Sequence, residues 1–293
     1  MLLAAAVLFS TGGAVIKSTS LTAWQVAGFR SAIAALALTV LIPAARRAWR
    51  PRHFAVGAAY AATLILFVSA NKLTTAANTI FLQSTAPLYI LLLGPWWLGE
   101  RVRGRDILFL AVMASGCAAF FIGEAPPTVT APDPMAGDLL ALLSGLAWAL
   151  TVTGLRWVSR QDPGDTLVTV VVGNWLAFGV CLPFAWPVLN ADAGDWTALL
   201  WLGVFQIGVA YFCLTRGVER LTALETSLLL LAEPVLNPVW AWLFQGERPS
   251  KWALAGGAII LVASTVRTVS GAAGAPRASG RAAGVNSRRP SPP

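Results

Sequence analysis

Polar side chains able to hold a small solute recur at helical spacing inside apolar runs of this 293-residue chain. Thr75, Thr79, Gln83 and Pro87 follow one another at intervals of four, with Asn78 beside them, Tyr89 further along and Asn71 ending the preceding run. Intervals of four put side chains on one helix face. A second stripe holds Glu225, Glu233, Asn237 and Trp240; other runs contribute Ser144, Trp148 and Thr151, then Gln206, Tyr211 and Cys213, and at the start Ser10 and Thr11. Amides, hydroxyls, a carboxyl and aromatic rings in one place would hydrogen-bond the polar end of a solute and stack on its apolar end. The competing explanation is that hydroxyls bond back to their own helix and small residues pack against neighbours. It accounts for the stripe Ala111, Ser115, Ala119, Gly123 better; amides and a carboxyl inside an apolar run are costly unless they face a partner or a wet cavity.

Two charges and two prolines stand out. Arg30 lies roughly 12 Å inside its run at ~1.5 Å per residue, too deep for a boundary charge, and needs an acceptor. Freed backbone carbonyls or a carboxylate would make it structural; a substrate carboxylate would make it functional. Glu233 is the one acid near the middle of a run, because all seven Asp lie in connections or at run ends. It is read either as a site of proton coupling or substrate ammonium recognition, or as a hydrogen-bonded structural acid. Pro87 and Pro234 each remove a backbone hydrogen bond near mid-run, where a hinge or a static kink would result. Glu100 and Glu247, each beside an Arg, read as interfacial anchors. Trp96, Trp97 and Trp196 fit an aromatic belt, while Trp148 and Trp240 are deep enough to stack on a ligand.

Catalytic chemistry is poorly supplied. The single histidine, His53, falls in an arginine-rich connection, so Ser-His hydrolysis and His metal sites lack their central residue. Cys117, Cys181 and Cys213 all sit in apolar runs without disulfide or metal spacing. Neither a metal nor a cofactor is expected, and the chain is read as a non-enzyme.

The elements that must position these residues follow from the apolar pattern. Hydrophobic residues make up 57% of the chain and charged ones 12%, too little charge to cover a water-facing surface behind recurrent runs of some twenty apolar residues. Runs bounded by charge or turn residues predict ten spans near 2–17, 23–42, 54–71, 75–98, 106–123, 138–158, 166–187, 196–215, 222–244 and 252–269. The net charge of +8 could suggest nucleic acid, but the arginines fall in connections and in the tail. Sixteen of the 21 Lys and Arg lie on one side of this threading, which places both termini in the cytoplasm. Residues 75–101 laid on 222–248 without gaps pair Thr75 with Thr222, Thr79 with Thr226, Pro87 with Pro234 and Gly99-Glu100-Arg101 with Gly246-Glu247-Arg248. This is a duplication, and five spans per copy invert the second one. The expected organisation is an all-α integral membrane protein: a first five-helix repeat over 1–123, a periplasmic linker over 124–137, an inverted second repeat over 138–269 and a disordered basic cytoplasmic tail over 270–293.

Arg30 in the second span, Pro87 and Leu98 to Arg101 in the fourth, and Glu233-Pro234 with Gly246 to Arg248 in the ninth resemble the ten-helix EamA-type exporters of the drug/metabolite transporter superfamily, over nearly the whole chain. Within that family the third and fourth spans are most similar to aromatic amino acid exporters. The resemblance implies a central cavity lined by spans 1, 3, 4, 6, 8 and 9 that opens alternately to either side of a bacterial inner membrane, and export of small metabolites. The expected lining is Asn71, Asn78, Thr79, Gln83, Tyr89, Trp148, Gln206, Tyr211, Glu233, Asn237 and Trp240. One cation suits an amino acid better than a nucleotide sugar, whose phosphates would call for several. The expected partners are a small solute and the bilayer, with no nucleic acid and a monomeric chain. A broader drug or nucleotide-sugar carrier is the alternative; a scaffold or receptor would need neither the inverted duplication nor the polar stripes.

Overall fold

A computed structural model describes residues 1–97, 104–122, 126–162, 164–189, 191–218 and 229–273. Those residues form helices: α1 Leu2–Ser10, α2 Gly12–Ser18, α3 Ala23–Leu41, α4 Pro51–Leu73, α5 Ala76–Gln83, α6 Ala86–Trp97, α7 Gly104–Ile122, α8 Pro134–Gln161, α9 Asp165–Ala185 and α10 Ala193–Leu200. A π-helical stretch, Trp201–Val209, joins α10 to α11, Ala210–Val218, and α12 Ala232–Gln245 and α13 Lys251–Ala273 follow. Among the described residues the only β feature is an isolated bridge between Thr128 and Ala131. Among the described residues seven segments are long and apolar enough to cross a membrane: α3, α4, α7, α8, α9, the run from α10 into α11, and α13.

The remaining apolar runs are interrupted where unbroken spans were expected. The first divides at Thr11, the fourth at Ser84 and Thr85, and the ninth at Leu231, while the eighth loosens into the π-helical stretch. Side-chain hydroxyls supply a reason at the first two breaks. Ser10 and Thr11 donate to the carbonyls of Val7 and Leu8 at 2.7 and 2.8 Å, and Ser84 and Thr85 to those of Ile80 and Leu82 at 2.7 and 2.6 Å. Such bonds offer the backbone an alternative to the next helical turn. The hydropathy that marks a span is indifferent to them. At the other boundaries local chemistry is decisive: Asp133 caps α8 through the Ala136 N–H at 3.1 Å with Pro134 in the first turn, so this helix starts four residues before the expected 138.

Within the bundle α4 packs along α8 and α9, α3 packs on α9 and on the π-helical stretch, and α7 lies against α13. The perimeter is hydrocarbon. Leu36, Val40, Ile107, Leu108, Phe244, Val262 and Val266 are exposed, the reverse of a water-soluble helix bundle and the surface a lipid solvent requires. Charge gathers at one end instead. Arg52 donates to Asp165 at the start of α9, His53 Nε2 lies 3.0 Å from the same carboxylate oxygen, and Arg47 donates to Asp162 at 2.7 Å. His53 was expected in a loop; it is the third residue of α4, fully buried, with Nδ1 accepting from the Arg50 N–H at 3.1 Å. A loop assignment missed that Pro51 begins the helix. Within this cluster the Asp162 carboxyl, in the connection between α8 and α9, is held below the ordinary carboxylate range by the Gly164 N–H and then by Arg47.

Candidate functional site

Helix α4 presents Tyr60, Thr63, Leu64 and Phe67, spaced i, i+3, i+4 and i+7, to the interior of the bundle. Facing them across a cavity of about 400 Å³ are Gln83, Pro87 and Ile90 from the α5–α6 break, Trp148 and Val152 from α8, Gln206 from the π-helical stretch, and Tyr211 from α11. Arg30 of α3, Phe9 of α1, Glu233 and Pro234 of α12, and Ser264 and Thr268 of α13 complete the wall. Eight residues singled out from the sequence therefore meet in one place: Arg30, Gln83, Pro87, Trp148, Gln206, Tyr211, Glu233 and Pro234.

Neighbouring bonds fix the polar members. The Gln83 Nε2 donates to Ser144 Oγ at 2.7 Å, and Thr63 and Thr151 hydroxyls approach to 3.3 Å, so α5, α8 and α4 share a polar seam. Gln206 is buried with its Oε1 unbonded. Arg30 is 1% exposed; its Nη2 donates to the Leu64 carbonyl at 3.3 Å and its Nε has no partner. Gly203 allows this arrangement, because a Cβ there would lie 2.5 Å from Ile33 Cγ2 and 2.9 Å from the Arg30 carbonyl. The π-helical stretch can thus press directly onto α3 at Arg30. Tyr211 stands edge-on to Phe9 and to Tyr60, with ring centroids 5.4 and 6.1 Å apart. One cation, one carboxyl, two amides and aromatic walls make a cavity able to hold a solute with charged and apolar parts.

Six other expected lining residues are elsewhere. Asn78 donates to both carboxylate oxygens of Asp138 at 3.0 Å, and Thr79 is buried with its hydroxyl on the Thr75 carbonyl at 3.0 Å. Asn71 is buried and donates to the Phe67 carbonyl at 2.9 Å, and Tyr89 is half-buried off the cavity. Trp240 donates to Ser10 Oγ at 2.9 Å, across the α1–α2 break. Asn237 is fully buried against Gly13, and neither of its amide atoms is bonded. Asn78 and Thr79 share the unbroken helix α5 with Gln83, so fourfold spacing gave a common helix but not which neighbour takes each side chain: Asp138 takes Asn78, and the Thr75 carbonyl takes Thr79. Glu100, Arg101, Thr222, Glu225 and Thr226 lie outside the described residues. Tyr60, Phe67, Ser264 and Thr268 were missed. Tyr60 and Phe67 carry a readable signal in their i, i+3, i+4, i+7 pattern, whereas Ser264 and Thr268 look like ordinary packing hydroxyls.

The prolines are differently placed from the expected mid-helix positions. Pro87 and Pro234 occupy the first turn of α6 and of α12, where a missing N–H removes no helical bond. The proline inside α12 is Pro238.

Comparison with known proteins adds the family. The sequence pattern of the EamA-like transporter family matches twice, over residues 1–122 and 135–268. The chain is 27% identical over 265 residues to the pseudopaline exporter CntI of Pseudomonas aeruginosa, covering 87% of this chain and 90% of that one. It is 24% identical over 223 residues to the aromatic amino acid exporter YddG of Ancylobacter novellus, covering 75% of each. A solved crystal structure superposes with a TM-score of 0.59 at 20% identity, over 92% of this chain and 95% of that one, which establishes likeness of fold. With two family matches spanning most of an apolar, all-helical bundle, the chain belongs to the EamA-like transporter family and is a multi-pass membrane transporter.

Proposed function

We propose that this transporter exports amino acids, aromatic ones included, from the cytoplasm to the periplasm by alternating access across a bacterial inner membrane. The observation that carries the reading is that one guanidinium, Arg30, and one carboxyl, Glu233, face the same aromatic-walled cavity. An amino acid offers a carboxylate to the first, an ammonium to the second and a side chain to Tyr60, Trp148 and Tyr211. The similarity to YddG supports the substrate class. In this reading ten spans form two inverted five-helix repeats around the cavity, both termini are cytoplasmic, and the chain works as a monomer without cofactor. The breaks at Thr11, Ser84–Thr85 and Leu231 are the places where half-helices swing, with Pro87 and Pro234 marking two of them as hinges.

The alternative within the superfamily is a carrier for nucleotide sugars or assorted drugs. Phosphates would call for several cations, and among the described cavity residues Arg30 stands alone. The test is counterflow of radiolabelled phenylalanine and threonine in proteoliposomes. Saturable exchange of phenylalanine is expected; uptake of neither would sink the amino acid reading.

A further inference from the structure

The end of the bundle opposite the arginine cluster is shut by a buried ion pair that the cavity does not use. Lys17 of α2 and Glu247, just beyond α12, pair at 2.9 Å with side chains 2% and 3% exposed. The Lys17 ammonium also donates to the carbonyls of Thr74 at 2.8 Å and Thr130 at 2.5 Å, so three oxygens lie within 2.9 Å of it. The second Glu247 oxygen accepts from the N–H of Ala76 at 2.9 Å, the first residue of α5, where a helix N-terminus favours negative charge. Gly246, at φ 68°, ends α12 in the left-handed conformation and folds the chain back so that the Glu247 N–H reaches the Ala241 carbonyl. One pair thus ties α2, the α4–α5 junction, the loop at Thr130 and the end of α12.

Its position relative to the cavity matters. The cavity wall runs from mid-bundle into the arginine-bearing half, through Tyr60 on α4, Val152 on α8, Leu214 on α11 and Thr268 on α13. None of the latch residues contributes to it. A transporter that loads from the arginine end must at some stage open the other end. We infer that Lys17 and Glu247 form the latch of the release side, closed here and broken in the opposite state. An ion pair suits that task. In the closed state loss of one partner would strand a buried charge, which resists partial opening; once the helices part, both groups are solvated and the separated pair carries little penalty.

The inference rests on the transporter reading but not on the identity of the substrate, and its test keeps the two apart. In a background with Cys117, Cys181 and Cys213 replaced by Ala, Ser84→Cys puts a thiol on the cavity. A membrane-impermeant maleimide, applied separately to spheroplasts and to inside-out vesicles, reports which end admits it. With Lys17 and Glu247 intact, labelling from the cytoplasmic face is expected; Glu247→Gln should raise periplasmic labelling severalfold. In a second arm that keeps Ser84, Lys17→Cys with Glu247→Cys is bridged by a bifunctional methanethiosulfonate, which should abolish counterflow, where a monofunctional methanethiosulfonate does not, and be reversed by reductant. If Glu247→Gln folds, as judged by monodisperse elution, and leaves the labelling pattern unchanged, the latch is wrong. Counterflow undiminished by the bridge also overturns it. The expected labelling shifts together with no phenylalanine exchange would overturn only the substrate reading.

Discussion

Arg30→Gln is expected to weaken substrate binding while leaving the fold intact. The guanidinium is 1% exposed, makes a single 3.3 Å hydrogen bond to a carbonyl, leaves Nε unbonded and pairs with no carboxylate among the described residues. Losing one long bond to a neutral acceptor costs about 1 kcal/mol, and removing an uncompensated buried cation offsets that by relieving its desolvation. The melting temperature should therefore stay level or rise. Binding behaves differently. A ligand carboxylate on this guanidinium gains a charge-assisted hydrogen bond of about 1.5 to 3 kcal/mol, and at ~1.4 kcal/mol per decade the variant's KM should rise roughly 10- to 150-fold. Proteoliposome counterflow over a range of phenylalanine concentrations measures the KM, and tryptophan fluorescence on heating measures the fold. A KM within about twofold of the parent, combined with a melting point lowered by more than ~5 °C, would make Arg30 a structural residue and not a substrate ligand.

Other perturbations probe the same cavity. Glu233→Gln should flatten the dependence of exchange on pH between roughly 5 and 8 if this carboxyl exchanges a proton during transport; a pH profile identical to the parent would remove coupling from its role. Asn237→Leu should raise the melting temperature, because it removes a buried amide whose unbonded groups cost about 1 to 3 kcal/mol each. A lowered melting temperature would mean that Asn237 has a partner in the resting state. Gly203→Val should sharply lower folded yield, since its Cβ would fall 2.5 Å from Ile33. Gly179→Ala, where a Cβ meets nothing within 4 Å, is the matched control and should express normally.

How far the site could be read along the chain depends on what carried the signal. Arg30 and Glu233 were legible because a charge deep in an apolar run has few tolerable environments, and both reach the cavity. Asn78 and Trp240 were not, since an amide or indole is equally well satisfied by a neighbouring helix: Asp138 takes one and Ser10 the other. Glu247 shows the same limit most clearly. Beside Arg248 at a helix end it reads as an interfacial anchor, yet it is buried on Lys17, a residue far away in the sequence. The π-helical stretch and the break at Ser84–Thr85 leave no mark in hydropathy either.

That this chain lives in lipid, where its apolar runs lie and that its halves are copies can all be read along the residues. Those properties are local or additive: each residue meets the solvent's demand on its own, and a duplication is visible in register. Packing between helices sets Arg30 on the Leu64 carbonyl and brings eight marked residues to one cavity. It alone pairs Lys17 with Glu247 to close the opposite end. A buried polar group must find its partner on another helix, and which helix that is depends on packing, which no single run of residues contains.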